Sequence, residues 1–285
     1  MTDNSLTWEQ SVQWLRAQPD QQILVRDCYF YDPLLDAAQR FYESAEWRAT
    51  RQWLPPIPAW ALDLGAGRGI GSYALARDGW RVMSLEPDSS RLVGNHAIRD
   101  LAQTSSLPIF PIQNFAETLP FRSNSFELVY GRQVLHHASN LTKMCGEVNR
   151  VLKPGGVFVA TREHVISKRE DLELFLQKHP LHHLYGGENA YLLDDYVTAI
   201  KSSGLKIVKA IRSLESVVNY FPLSEDEWRE ACRRPLARRL GARLTLALTN
   251  PNSTFGCGLL NLLASYLSRR DNSAGRLYSF VAVKP

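Results

Sequence analysis

Trp60-Ala61-Leu62-Asp63-Leu64-Gly65-Ala66-Gly67-Arg68-Gly69-Ile70-Gly71 is an apolar run that meets an acid, then breaks into glycine at every second position. The apolar part reads as a buried strand, and the residues that follow read as a tight turn opening a helix. Glycine there lets the main chain approach a ligand closely, and a helix start offers unpaired amides. The spacing is not Gly-x-Gly-x-x-Gly, because the third glycine of that pattern falls on Ile70. This counts against a nicotinamide or flavin dinucleotide.

Outward from this turn, short apolar runs alternate with amphipathic stretches, the pattern of a parallel sheet with crossover helices. Strands are expected at 59–64, 80–86, 107–112, 126–131, 155–161, 205–212 and 276–284. The clearest helix, 140–152, places Leu141, Met144, Cys145, Val148, Val151 and Leu152 on one face. Ser139 or Asn140 can cap its start, and Lys153-Pro154-Gly155-Gly156 should end it. Pro55, Pro56 and Pro58 cannot continue a helix and mark a boundary. Residues 1–54, with apolar positions at helical spacing, are expected to form a helical lid or cap over a domain spanning 55–285. Within that domain, 213–275 reads as a helical insertion before the last strand, a place where substrate specificity can reside.

The resemblance to a known family grows from the ordered set of motifs. Asp63-x-Gly65-x-Gly67-x-Gly69 is similar to the first motif of class I S-adenosylmethionine-dependent methyltransferases. The next strand ends in Glu86, where a carboxylate can accept two ribose hydroxyls. Ala116-Glu117-Thr118-Leu119-Pro120-Phe121, Val134-Leu135-His136-His137 and Glu147-Val148-Asn149-Arg150-Val151-Leu152-Lys153-Pro154-Gly155-Gly156 follow in the order of the type-11 methyltransferase subgroup. The resemblance covers roughly residues 59–161.

It implies a Rossmann-like α/β fold: a seven-stranded, mostly parallel sheet with an antiparallel last strand and helices on both faces. The implied cofactor is S-adenosylmethionine, leaving S-adenosylhomocysteine as product. Asp63, Gly65, Ala66, Gly67 and Gly69 would lie near its methionine end, and Glu86 and Pro87 near the ribose. Asn114, Phe115 and Ala116 would border the adenine, with Phe115 standing where the family often has an aspartate. Arg132, after the fourth strand, could pair with the cofactor carboxylate or simply occupy the sheet rim.

The reaction expected is displacement at an already activated methyl group, for which alignment matters most. A general base is needed only for a protonated, weakly acidic acceptor. His136, His137 and His164 are the candidates for it, since open α/β sheets bind ligands beyond the carboxyl ends of their strands. Tyr42, Arg162, His183 and Tyr185 are candidates for substrate contact, with the run from His179 to Asn189 supplying further polar groups. Tyr42 belongs to an aromatic helix that could cover the methyl group or merely pack on the sheet. His182, His183 and Tyr185 lack a complete ligand spacing, so no metal is expected.

Composition excludes several classes. A net charge of +4 over 285 residues falls short of the field that phosphate-backbone binding requires, and the arginines of 229–243 are offset by Glu225, Asp226, Glu227 and Glu230. Nucleic acid is therefore disfavoured as a partner. The four cysteines stand apart and read as reduced thiols of a cytoplasmic protein. No secretory pattern opens the chain, and 258–267 is too short to span a bilayer. Three functions stay open at this point: methylation of a small molecule, methylation of RNA or another nucleic acid, and a non-catalytic partner subunit. Oligomeric state is not legible.

Overall fold

The computed structural model describes residues 6–285. Eight strands form one sheet: β1 (Trp60–Leu64), β2 (Arg81–Leu85), β3 (Ile109–Ile112), β4 (Phe126–Arg132), β5 (Leu152–Ile166), β6 (Tyr191–Leu192), β7 (Lys206–Ile211) and β8 (Arg276–Val283). Their order is β3-β2-β1-β4-β5-β8-β7, with the two-residue β6 pairing the end of β5. Only β8 runs against its neighbours, as expected for the last strand. This is the Rossmann-like α/β architecture expected, with β6 as an addition.

Alternation along β1 explains why both faces are covered. Leu62 and Leu64 join one buried cluster with Val148, Val151 and Phe158, whereas Ala61 joins the other with Tyr73, Leu75 and Tyr130. A strand buried on both faces is apolar almost throughout, which is why β1 shows no polar alternation and carries a single acid, Asp63, next to its end. Helix Leu141–Val151 starts where expected, with the Asn140 side chain accepting the Lys143 amide. It ends one residue early because Leu152 already pairs with Phe126 as the first residue of β5.

The larger departure is the far end of β5. The strand was expected to stop at 161, yet it continues to Ile166 by pairing with Tyr278, Leu277 and Arg276 of β8. It does so across a bulge: Ala160 faces Phe280 and Glu163 faces Tyr278, so β5 carries one extra residue. Arg162 absorbs it in the left-handed region, at φ 64°. A one-residue shift exchanges the two faces of a strand, so the bulge decides where Glu163 and His164 point.

Ahead of the sheet lie helices Trp8–Ala17, Gln22–Asp27, Leu34–Tyr42 and Ala45–Arg51. Between β7 and β8 stand helices Val217–Tyr220, Glu225–Leu240, Ala242–Leu248 and Thr254–Arg270. Among the described residues no helix is long and apolar enough to cross a membrane.

Candidate active site

Strand order reverses beside β1, where β2 and β3 lie to one side and β4 and β5 to the other. Connections leaving β1 and β4 therefore diverge and open a crevice at the carboxyl ends of the strands. A cavity of about 550 Å³ occupies it, a volume usual for small-ligand sites.

The glycine turn forms one wall. Gly65 lies in the left-handed region at φ 63°, and a Cβ on it would come within 2.4 Å of the Val134 side chain. Gly67, at φ 54°, has open space where its Cβ would stand. A side chain there would enter the space a ligand needs. Glu86 closes the corner, with its two oxygens accepting the amides of Gly67 (2.8 Å) and Asp88 (3.0 Å). Burial still pushes its carboxyl up to about 7. Asp63 is likewise raised to about 7 by burial, and it accepts the Ser72 hydroxyl at 2.6 Å. That bond ties the end of β1 to the first turn of the following helix, so Asp63 braces the loop as well as lining the cavity.

Of the residues expected at the cofactor, Asp63, Gly65, Ala66, Gly67, Glu86, Pro87, Phe115, Ala116 and Arg132 line the cavity. Gly69 caps the helix behind the turn instead, and Asn114 turns back to accept the Phe115 amide. Phe115 is 66% exposed and sits at the mouth. Arg132 is held away from the role of a free carboxylate partner. Its Nε and Nη2 donate to the two oxygens of buried Glu46 at 2.7 and 3.1 Å, and Nη1 donates to Gln133. Its first partner is thus within the chain.

Among the expected substrate contacts, only Tyr185 lines the cavity. Tyr42 packs edge-on to Tyr73 with Arg51 and Arg77 over its ring, outside the chamber. Arg162 is buried below the bulge, where Nη1 donates to the carbonyls of Val218 and Phe221. His183 is held by the Gln177 carbonyl at the surface. None of these three lines the cavity.

The three histidines expected near the chemistry do converge. His136 and His137 follow β4 in a single 3-10 turn, and His164 arrives from β5 just past the bulge. The His136 and His164 rings lie 4.7 Å apart, and all three line the cavity. His136 Nδ1 is 2.7 Å from the Glu163 carboxylate, which also accepts the amides of Val134 and His136. Burial carries the His136 imidazole well below its ordinary value and takes His164 down to about 3, so both rings are neutral.

The amino-terminal segment expected as a lid and the run 179–189 meet over the cavity, through residues most of which sequence reading did not single out. Trp8 and Leu24 reach the cavity from the amino-terminal helices, Tyr29 and Phe30 from the loop that follows them, and His179, Leu181 and Glu188 from the segment after β5. Trp8 stacks obliquely on Tyr185 with centroids 4.7 Å apart, joining the two halves. Arg68, within the glycine turn, donates to the carbonyls of Tyr29 and Tyr31 and to Asp32. Apolar residues at helical spacing signal a buried face but not which partner buries it, so these contacts left no separate mark in the sequence.

Comparison with known proteins gives the following. Residues 62–160 match the family model described as "Methyltransferase domain". A 32% identical relative over 99 residues is "Arginine-hydroxylase NDUFAF5, mitochondrial" of Mus musculus, covering 35% of this chain and 27% of that protein. "Sarcosine/dimethylglycine N-methyltransferase" of Aphanothece halophytica is 32% identical over 133 residues, 46% of each chain. The chain thus matches less than half the length of these curated relatives. In fold, it is similar to geranyl diphosphate C-methyltransferase from Streptomyces coelicolor, solved with Mg2+, geranyl diphosphate and S-adenosyl-L-homocysteine. The TM-score is 0.59 at 12% identity, over 90% of this chain and 85% of that one.

Proposed function

We propose that this chain, whose residues 62–160 match a methyltransferase domain, is a class I S-adenosylmethionine-dependent methyltransferase that methylates an oxygen, nitrogen or carbon nucleophile of a small molecule. One observation carries the reading: a single roofed cavity joins the glycine turn and Glu86 at one end to His136, His137 and His164 at the other.

The site suits the cofactor by its shape and its donors. Gly65 and Gly67 keep the turn free of side chains, and Glu86 offers two carboxylate oxygens to ribose hydroxyls. Pro87, Phe115 and Ala116 form an apolar edge where a flat base fits. When bound, S-adenosylmethionine supplies a methyl carbon whose bond to sulfur breaks, its electrons staying on sulfur, as the acceptor's lone pair forms the new bond. The chain's own contribution is then alignment and exclusion of water, worth up to roughly 7–11 kcal/mol of barrier. Trp8, Phe30, Leu181 and Tyr185 exclude water from above. For an acceptor that must lose a proton, His137 is the ring at the far end placed to receive it, with its Nδ1 held by the Gly187 carbonyl.

A small acceptor is favoured over RNA by the enclosure and by the arginines of the insertion. Arg229 is paired to Glu225 and Asp226, and Arg233 holds the Thr249 hydroxyl and carbonyl. Arg229 is thus engaged within its own helix and Arg233 with the end of the next, so neither is free for a phosphate. The amino-terminal helices act as a cap that must open for substrate entry.

The test is transfer of label from methyl-labelled S-adenosylmethionine to fractionated extracts, alongside calorimetry with S-adenosylhomocysteine. Micromolar product binding and label in the small-molecule fraction are expected. Absence of product binding by folded protein would remove the reading.

A further inference from the structure

His136, His164 and Glu188 each present one ligand atom, and these atoms all lie within 4.8 Å of one another. The residues come from three separate elements: the turn after β4, the far end of β5, and the loop before β6. From these we infer a divalent transition-metal site at the acceptor end of the cavity.

Hydrogen bonding around the cluster fixes which atoms are free. In its ionised form Glu163 accepts two backbone amides and, at 2.7 Å, the Nδ1 proton of His136. The Gly275 carbonyl can only accept, so His164 Nδ1, 3.0 Å away, is also a donor. In a neutral imidazole the other nitrogen then carries a bare lone pair. His136 Nε2 lies 3.8 Å from Glu188 Oε2, too far for a hydrogen bond and with no proton of its own to give. A lone pair facing a carboxylate oxygen in a buried place is repulsive until a proton, a water or a metal cation stands between them, and the convergence of two rings and one carboxylate suits the last. His179 Nε2 approaches the same Glu188 oxygen, also at 3.8 Å, from another side.

Metal-bound histidines characteristically donate the remote ring nitrogen to a carboxylate or a backbone carbonyl, which fixes the tautomer and aims the lone pair. His136 and His164 show one arrangement each, and the Tyr185 hydroxyl donates to the other oxygen of Glu188. A histidine retained only for packing needs no such support on its outer nitrogen while its inner one is left empty. Two imidazoles and one carboxylate suit Zn2+, Fe2+, Mn2+ or Co2+ rather than Ca2+ or Mg2+, which prefer all-oxygen sets. Bonds of about 2.1 Å would bring the three atoms to roughly 3–3.5 Å of one another, a contraction that side-chain rotation supplies.

Three protein ligands leave coordination positions open toward the cavity. There the ion would hold an anionic oxygen of the acceptor, such as a carboxylate or an ionised hydroxyl. This role rests on the methyl-transfer reading, while the site itself does not. The expectation of no metal came from spacing within 182–185. The cluster instead draws its ligands from places far apart in the chain, joined only by the β5 bulge and the roof.

The full chain, stripped with chelator, would be titrated with Co2+ and followed by its visible absorption, then competed with Zn2+. We expect one Co2+ per chain, displaced by Zn2+. His164→Ala and Glu188→Gln should each weaken binding by about a hundredfold or more, and Glu163→Gln, which alters only the orienting partner, by about 10–100-fold. His96→Ala, at an exposed site far from the cluster, should leave it unchanged. S-adenosylhomocysteine affinity measured on the same samples reports whether each variant keeps its fold. No stoichiometric Co2+ in protein that still binds S-adenosylhomocysteine would overturn the site. Undiminished binding in a His164→Ala, Glu188→Gln double variant would overturn it too. Stoichiometric Co2+ without S-adenosylhomocysteine uptake would keep the site and remove the methyl-transfer reading.

Discussion

Glu86 accepts two backbone amides, yet burial still holds its carboxyl near 7. Ribose hydroxyls donating to it would favour the ionised form, so binding lowers the pKa and releases a proton. The sign follows: affinity for S-adenosylhomocysteine is constant above the free protein's value near 7 and falls below it, by up to about tenfold per pH unit. Titrations from about pH 5 to 8, repeated in buffers of different ionisation enthalpy, would show it. A flat profile would mean that Glu86 does not meet the ligand. Glu86→Gln should weaken binding by about 1.5–3 kcal/mol, the worth of one charge-assisted hydrogen bond, and flatten the profile. Any slope that survives belongs to Asp63 or Glu163, whose own values near 7 have burial as their main cause. Gly67→Ala attacks the same site from the backbone. The left-handed conformation costs a side-chain-bearing residue about 1–2 kcal/mol, and the new methyl would stand in the cavity, so stability and affinity should both drop. Loss of stability with unchanged affinity would place the ligand away from this turn.

At the scale of elements, the Glu46–Arg132 pair fastens helix Ala45–Arg51 to the end of β4, with Glu46 almost fully buried. Glu46→Ala leaves a guanidinium without its counter-charge in a place of little solvent and should cost about 3–5 kcal/mol, read from urea unfolding. A loss under about 1 kcal/mol would show that water replaces the carboxylate. The same pair shows where sequence reading runs out. Strands β1 to β4 and helix Leu141–Val151 were legible because burial on one or both faces writes itself as periodicity. Arg132 was read either as a partner of the cofactor carboxylate or as a rim residue, but its partner in the chain stands in a helix before the core, and nothing in spacing links position 46 to 132. Arg162-Glu163-His164 is polar, so β5 was read as ending before it. What carries the strand on is pairing with β8, together with a bulge that only a backbone can show. The histidines were identified by type and position, whereas their geometry depends on that bulge. Glu188 lay in a stretch recognised as polar, yet its meeting with His136 is made by tertiary folding alone.

For the whole molecule, the decisive feature is that the roof is built from chain segments at a distance from the central sheet. Trp8 and Phe30 rest on Leu181, Leu184 and Tyr185, and Arg68 ties the glycine turn to Tyr29, Tyr31 and Asp32. These contacts are fewer than those within the sheet, and segments with few buried contacts open at lower free energy than the core. A ligand that bridges turn and roof should therefore slow opening of helices Trp8–Ala17 and Gln22–Asp27. Saturation at about 100 times Kd adds about 2.7 kcal/mol to the closed form, enough to slow amide exchange through that opening about a hundredfold. Helix Thr254–Arg270 contributes no residue to the cavity and serves as the internal control. Hydrogen exchange with and without S-adenosylhomocysteine should show protection concentrated at 8–31 and 179–188, with little change at 254–270. Equal protection everywhere would mean that the ligand acts only through global stability, and no protection at 8–31 would mean that the amino-terminal helices do not close over it.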